Sequence, residues 1–582
     1  MGCAAAFGVG TVPALAQAPP PSWDVYADTW VATDGLGRSL PTTAHVGSPR
    51  PNRDVGIFYF LWLGREELDS GPYNITQILQ KDPTALQHAD NPAWGGKYSF
   101  HHWDEPIWGY YNNADPAILR KHAEQLSAAG VDMLLFDTSN GYNYPEVVNA
   151  ITKVYLEMQR EGMKVPKLAF HTVASSGEKQ VKQVQDIYEL FYKSGANDSL
   201  WYKWNGKPLI IADPNQTFSE GIGNYFTFRK SYWGGKNPGP GSWDTDGVYP
   251  SGEERHIQKD ALGNIEEMAV PVASSIIHSP VSSMGPGTGR SWHKSQKEGY
   301  RDTAPNAIAH GIQFQDNWDY ALKKSPPFIL TYSWNEWIVQ KFIYPDGSAY
   351  FVDQFTDEFS KDIEPMKGGF GDAYYYQLVD NVRRYKGARA LPPISRAKIA
   401  LKGDWTSWQT VGPEFRDTIF DPMQREFKGY NPKLHYTNTT GRNDIKLAKA
   451  ALSGKNLAFY VQTREKLSVP SGPDWMTLYV DADQNAKTGW LGYDYRISPT
   501  RKVIERNVGG TYQWGSAQPI STRVGDNAIA LLVSLKQLGL GANAHGVDFK
   551  WTDNCFEKGD WSDFMLNGDA APNDRFNYHA QW

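Results

Sequence analysis

Cysteine is almost missing from this chain. Of 582 residues two are cysteine, Cys3 and Cys555, and Cys3 falls in a segment expected to be removed. Neither a disulfide framework nor a cysteine metal site can be assembled from what is left. Long apolar runs are missing as well: no stretch after the N-terminus approaches the ~18 to 20 residues that a membrane span needs, so a soluble mature chain without a span is expected. Charge of one sign does not accumulate. The 58 Lys and Arg against 64 Asp and Glu leave a net charge of -6, with no basic run and no interleaved basic-aromatic stripe, which excludes nucleic acid as an expected partner. Dinucleotide, P-loop and Gly-x-Ser-x-Gly elements are lacking, which lowers nucleotide and serine-esterase readings. His101, His102 and His171 lack the HExxH or Cys/His spacing of a metal site, so no active-site metal is expected.

The N-terminus, Ala4-Ala5-Ala6-Phe7-Gly8-Val9-Gly10 leading to Ala14-Leu15-Ala16-Gln17-Ala18, offers a short apolar core and small residues at signal-peptidase spacing. A signal peptide over residues 1–18 and a secreted protein, extracellular or periplasmic, are expected. The positive region that usually opens such a peptide is missing, since no Lys or Arg precedes Arg38.

What the chain has in quantity is aromatic residues, 14% of the total, with 22 Trp and 32 Tyr. Flat amphipathic rings match the apolar faces of sugars. They also fill the cores of large β-rich proteins, and composition leaves both readings open.

Residues 19–53, rich in Pro, Gly, Ser and Thr, read as a leader lying over the next domain. A strand-then-helix rhythm follows. Val55 to Trp62 has the composition of a buried strand, and a helix runs from Asp115 at N-cap and Pro116 at the first helical position to Gly130. Val131 to Asp137 is a second strand. It is followed by a helix, about 145–160, with Val147, Val148, Ile151, Val154, Tyr155 and Met158 on one face. Lys167 to His171, a helix with Val181, Val184, Ile187, Leu190 and Phe191, and Pro208 to Asp213 continue the series. The rhythm blurs between about 217 and 310, where a Gly- and Trp-rich insertion (Trp233-Gly234-Gly235, Gly239 to Trp243) and a strand near Ala269 to Ile277 are expected.

The run Phe328-Ile329-Leu330-Thr331-Tyr332 then stops in Ser333-Trp334-Asn335-Glu336-Trp337. An apolar strand ending abruptly in an amide, a carboxylate and indoles fits a barrel strand delivering a catalytic group to its C-terminal mouth. The alternative is a packed strand whose Glu336 caps a turn. The pattern predicts a (β/α)₈ TIM-type barrel over 54–390, closed by a helix around 370–384, with a linker at 391–396. From 397 to 582 the period changes from 3.6 to 2, with strands at Asn456 to Thr463, Trp475 to Asp481, Ala528 to Val533 and Val547 to Trp551. An all-β sandwich is expected there.

In a barrel the strand ends converge, so Trp62, Asp137, His171, Asp213 and Glu336 become candidate neighbours. Glycosidic cleavage needs two carboxylates, one to protonate the leaving oxygen and one to attack or to activate water. Glu336 is the first candidate. Asp137, before Asn140 and Tyr142, is the second, and Glu105, on a loop beside Trp103, is a third. Trp62, His102, Trp103, Asn140, His171, Asp213, Asn335 and Trp337 are the candidate sugar contacts. In the C-terminal half, Asp481, Asp483 and Asn485 place oxygen ligands at alternate positions, the start of a calcium loop or a strand-end Asx turn.

Tyr59-Phe60-Leu61-Trp62, Phe100-His101-His102-Trp103, Ala128-Ala129-Gly130-Val131-Asp132 and Ser333-Trp334-Asn335-Glu336-Trp337 resemble glycoside hydrolase families 99 and 71, over about residues 54 to 387. The resemblance implies a (β/α)₈ barrel acting on a polysaccharide or oligosaccharide, and several relatives act on α-mannan or α-glucan. Glu336 matches the first Glu of the family 99 Glu-Trp-His-Glu signature, which the family assigns to assist attack by the substrate's own 2-hydroxyl. The His falls on Ile338 and the second Glu, the family's general acid, on Val339. An aliphatic side chain transfers no proton, so either another strand end, with Asp137 the choice, supplies the acid, or the barrel is a non-catalytic glycan-binding protein. Thr440 to Asp444, Asp481-Ala482-Asp483 with Thr488-Gly489-Trp490, and Asp560 to Phe564 resemble a family 9 carbohydrate-binding module of DOMON-like type. Such modules either hold sugars on aromatic platforms or only buttress a catalytic domain.

Overall fold

The computed structural model describes residues 22–65, 71–232, 239–245, 247, 257–274, 277–278, 287–293, 299–556 and 559–582. Eight parallel strands follow one another around a nearly closed barrel-like sheet: β1 (Asp54–Tyr59), β2 (Met133–Asp137), β3 (Lys167–His171), β4 (Lys207–Ile211), β5 (Thr227–Tyr232), β6 (Ser242–Asp244), β7 (Ile265–Pro271) and β8 (Phe328–Tyr332). Strand β8 pairs with both β7 and β1, which joins the end of the series to its start. Between β6 and β7 a short strand, Gln258–Lys259, runs antiparallel to β7 and accepts the Gly241 N–H at 2.8 Å.

The interior is filled by alternate residues of these strands. Phe58, Met133, Leu135, Ala169, Leu209 and Leu330 pack there around Trp243, which stacks on Phe328 at 4.5 Å. The other set, including Ile57, Leu134 and Phe170, faces the helices, as period-2 geometry requires when both faces of a sheet are covered. Gly56 is fixed by this crowding, because a Cβ there would stand 2.7 Å from the Phe328 ring and 2.9 Å from the Met133 methyl.

The crossover helices are α1 (Pro116–Ala128), α2 (Pro145–Arg160), α3 (Glu178–Ile187), the short α4 (Glu220–Tyr225), α5 (Ile312–Lys324) and α6 (Ala373–Lys386). Asp115 caps α1 by accepting the Ala117 N–H at 3.0 Å, ahead of Pro116, and the apolar face expected on α2 is buried throughout. Two expectations need correction. The stretch read as an insertion supplies β5 and β6, with β7 beginning at Ile265 rather than near Ala269; Trp233 to Gly235 lie outside the described residues. Leu190, expected on the buried face after α3, is 53% exposed, because a wide turn at Tyr188–Tyr192 rotates it outward and brings Phe191 in.

The C-terminal half forms two largely antiparallel sheets. One contains β9 (Phe415–Arg416), β10 (Ile445–Ser453), β11 (Asn456–Thr463) and β13 (Ala528–Ser534); the other contains β12 (Thr477–Asp481), β14 (Gly546–Asp553) and β15 (Asp569–Ala571). Phe459 and Phe415 of the first meet Phe549 of the second at 5.3 and 5.1 Å. The halves are pinned together by buried charge. Arg425 donates to Asp115 at 2.7 Å and to the Trp108 carbonyl at 2.9 Å. The leader crosses the same joint: Arg389 pairs with Asp24 and Asp28, and Trp30 packs on Phe576. No helix among the described residues is long and apolar enough to cross a membrane.

Candidate active site

Strand β8 ends at Tyr332, whose ring stacks on Phe58 at 4.7 Å. The chain after it is tied down by residues 353–364, which return beneath the strand end. Ser333 N–H donates to the Lys361 carbonyl at 2.7 Å and Ser333 Oγ to Asp362 Oδ1 at 2.8 Å. Asn335 accepts the Phe60 N–H at 2.9 Å and returns its amide to the Phe60 carbonyl at 3.2 Å, clamping the end of β8 to the end of β1. Asn335 is fully buried, so it positions the segment and leaves no group for a sugar hydroxyl.

Glu336 therefore sits at the mouth on a fixed backbone, its own N–H held by Asp362 at 2.5 Å. Its Oε2 accepts from Gln354 Nε2 at 2.6 Å. Burial, then the charges of Asp353 and Asp362, push its carboxyl well above the ordinary value, against a smaller opposing pull from Lys361 and the Gln354 hydrogen bond. The surroundings of Glu336 thus favour its protonated form. Asp362 beneath it is pushed up to about 6 by burial, although Ser333, the Glu336 N–H, Arg290 and Trp103 all favour its charge.

Asp137, the last residue of β2, lies level with His171 of β3. Burial raises its carboxyl, the Ser139 contacts oppose this, and the charge of Asp353 adds to the rise. One charge, that of Asp353, thus acts on Glu336 and on Asp137 alike. Asp353 pairs with Lys361 at 3.2 Å and holds a left-handed backbone at φ 69, a conformation uncommon outside glycine and concentrated at functional turns. His171 is neutral, pushed down to about 3 by burial. Its Nε2 shares Ser231 at 3.1 Å and Thr245 at 3.0 Å, and its Nδ1 is 4.0 Å from Asp137.

The remaining candidates divide. Trp62 is half-buried, stacks on Phe60 at 5.4 Å, and its indole N–H has no partner among the described residues. Asn140 is exposed on the β2 rim loop, donating to the Tyr144 hydroxyl. Asp213 is buried with Ser176 at 2.6 Å and Lys230 at 2.9 Å on one oxygen; burial works against its charge, but these contacts and the Asn215 N–H lower it to about 2. Trp103 and Trp337 are fully buried, stacked on each other at 4.4 Å, so neither offers a ring face to a sugar. Their indole N–H groups instead hold Asp362 at 2.9 Å and Glu364 at 2.5 Å. His102 is buried edge-on against Tyr110 and Tyr430, at the joint with the C-terminal half and not at the mouth. Glu105 is engaged by Lys367 at 2.5 Å, and its charge acts on Tyr110 and Tyr436 at that joint.

Asp353, Gln354, Lys361 and Asp362 were not singled out from sequence. The signal was available: Val352-Asp353-Gln354 to Lys361-Asp362 lies between the last barrel strand and the last helix, where a βα loop meets the mouth. Val339 lies in a short strand, Ile338–Gln340, paired with Phe100–His102, and is buried with Ile75, Trp94 and Phe351. In the C-terminal half Asp494 joins Asp481 and Asp483, one carboxylate oxygen from each lying within 4.8 Å of the others. The Asn485 side-chain Oδ1 accepts the Lys487 N–H at 3.1 Å. Trp490 and Tyr493 are buried with Tyr479 and Phe564 and present no open platform.

No family model and no curated protein matches this chain. Among solved structures it is similar to two structures of the GH99 endo-alpha-mannosidase from Bacteroides thetaiotaomicron. One is in complex with BIS-TRIS-Propane (16% identity, 57% of this chain and 96% of that one, TM-score 0.32); the other is at 15% identity, 58% and 98%, and TM-score 0.34. A third is the Bacteroides uniformis beta-glucuronidase 3, at 9% identity, 82% and 64%, and TM-score 0.23.

Proposed function

We propose that the barrel is a glycoside hydrolase acting on a polysaccharide or oligosaccharide. The observation that carries this reading is Glu336 beyond the end of β8, hydrogen-bonded by Gln354 at 2.6 Å and raised by burial and by the charge of Asp353, which also acts on Asp137 at the end of β2. A buried carboxyl with a raised pKa near a second carboxylate is the division of labour that glycosidic cleavage requires. Glu336 protonates the leaving oxygen. Asp353, held by Lys361, attacks the anomeric carbon or activates water, and Asp137 with His171 shapes the floor on which the sugar rests. Trp62, Asn140 and Asp213 are the sugar contacts at the rim.

The test is a screen of α- and β-linked polysaccharides for released reducing sugar, with Glu336→Gln as control. Glu336→Gln is expected to lower kcat/KM by about 10²- to 10⁴-fold with the fold intact. Because the acid must be protonated, wild-type activity should fall as pH rises through the raised value of Glu336, and near-wild-type turnover by Glu336→Gln would overturn the assignment.

The second reading, a glycan-binding protein on a degenerate barrel, is favoured by one observation: the position of the family's general acid is Val339, packed in an apolar cluster. Binding on a glycan array without release of sugar from the bound glycans would select it. The proposal extends to export through residues 1–18, to a carbohydrate-binding-like sandwich that buttresses the barrel, and to calcium at Asp481, Asp483 and Asn485, with Asp494 beside them.

A further inference from the structure

A second group of carboxylates lies far from the mouth, at the joint between α1 of the barrel and the two C-terminal sheets. Asp417 directly follows β9, Asp421 is four residues on, and Asp569 opens β15. All three are buried, and one oxygen from each lies within 4.8 Å of the others. That spacing is what three ligands of one cation show when each metal–oxygen distance is about 2.3 to 2.6 Å.

The hydrogen bonding divides each carboxylate. Asp421 Oδ2 accepts from Thr418 Oγ1 and from Asn573 Nδ2 at 3.0 Å, and Asp569 Oδ2 accepts the Ile445 N–H at 2.6 Å. Asp421 Oδ1, Asp569 Oδ1 and both oxygens of Asp417 are buried without a hydrogen bond from any described residue. The Thr418 N–H approaches Asp417 but falls outside hydrogen-bond geometry. A residue outside the group points the same way. The Tyr578 hydroxyl is buried and unpartnered, and the charges acting on it are those of Asp417, Asp569 and Asp421.

Protein cations do not balance the site. Lys121 divides itself between Glu124 at 3.1 Å and Asp421 at 3.6 Å, while the Lys550 ammonium is bonded to the Pro572 carbonyl. These two lysines face three aspartates together with buried Glu124 and Asp574. Buried carboxylates without hydrogen-bond donors are stable only when paired, protonated or bound to metal. All the available ligands are oxygens, which selects a hard cation over zinc or copper. A cavity of about 570 Å³ between the leader, α1 and the C-terminal half is lined by Lys121, Glu124, Thr418, Asn573 and Asp574, neighbours of the site.

We propose that Asp417, Asp421 and Asp569 bind one calcium ion that ties the segment after β9 to β15 within the C-terminal half. The unpartnered carboxylate oxygens are the ligands, water completes the shell, and the Tyr578 hydroxyl donates to one of those waters. The site is separate from the Asp481 loop and independent of the chemistry at the barrel mouth.

The experiment uses the full chain, stripped with EDTA, dialysed and titrated with calcium chloride by calorimetry, beside Asp417→Asn and Asp483→Asn proteins. Asp417→Asn is expected to bind one calcium fewer per chain than wild type, while Asp483→Asn keeps the ion that Asp417→Asn loses. Calcium should raise the melting temperature of the wild type and should do so less in Asp417→Asn. Terbium luminescence excited through tyrosine and tryptophan gives a second readout; Tyr578→Phe, which keeps every carboxylate, should weaken it without abolishing it. If Asp417→Asn fails to fold, the as-purified wild type still decides by its metal content. No tightly held calcium and no shift in melting with EDTA would overturn the proposal, as would equal calcium stoichiometry in wild type and folded Asp417→Asn.

Discussion

At the scale of single residues, the mouth is governed by what surrounds Glu336 more than by Glu336 itself. Among the described residues Gln354 supplies its side-chain hydrogen bond, at 2.6 Å, and that bond lowers the carboxyl against the pull of burial. Gln354→Ala should therefore move the alkaline limb of the pH–rate profile upward and cut kcat/KM by about tenfold, the equivalent of ~1.4 kcal/mol of lost positioning. An unmoved limb would show that Gln354 plays only a packing role. Val339 gives a complementary case. Sequence alignment with the family signature invites Val339→Glu as a restoration of the acid, but the side chain lies among Ile75, Trp94 and Phe351. The variant should bury an unpaired charge, cost about 3 kcal/mol or more, and restore no activity; the melting temperature and a reducing-sugar assay together check this.

At the scale of elements, the N-cap of α1 both starts the helix and joins the two halves. This residue, Asp115, uses one oxygen to hold the Ala117 N–H and the other to hold Arg425. Both partners of this pair are almost wholly buried, with side-chain exposures of 8% and 1%, so removing the cation strands a carboxylate in a dry interface. Arg425→Ala should destabilise the chain by about 3 to 5 kcal/mol, read from urea unfolding, whereas exposed pairs such as Lys182–Asp186 should contribute below about 1 kcal/mol. Asp115→Asn, which keeps the cap and loses the charge, separates the two roles. The capping half of this was legible in Asp115-Pro116. The ion-pairing half was not, because Arg425 is 310 residues away.

At the scale of the whole molecule, buried acids set the pH dependence. Glu124 and Asp481 are pushed up to about 8, chiefly by burial, and Glu336, Asp417 and Asp569 are raised well above their ordinary values by the same cause. The folded chain keeps protons that the unfolded chain has already released, so stability falls as pH rises toward the folded values. His101, His102, His171 and His278, all lowered to about 3 by burial, act in the opposite sense, but only below the ordinary imidazole value of 6.5. Lys550, lowered to about 7 by burial, opposes the acids above that point as a single group. In EDTA the melting temperature should therefore change little between pH 5 and 6.5 and fall between 6.5 and 8. A rise over the second interval would refute the balance.

The local pattern of the sequence determined the element types and the barrel's order. Apolar runs of strand length, the Asp115-Pro116 cap and the face of α2 are properties of neighbouring residues, and burial on both sides of the sheet writes them into short windows. It also determined that Glu336, Asp137 and His171 stand at strand ends. Where the windows are short or broken, as at β5 and β6, that reading failed, because a three-residue strand held by its neighbours carries no periodicity of its own. Only the tertiary structure decided which strand-end residues face the mouth and which serve as packing. Trp103, Trp337 and His102 have the residue types of a sugar site, yet ring stacking and the C-terminal half enclose them. Asp353 and Lys361 have no motif, yet the return of their loop beneath β8 brings their charges to Glu336.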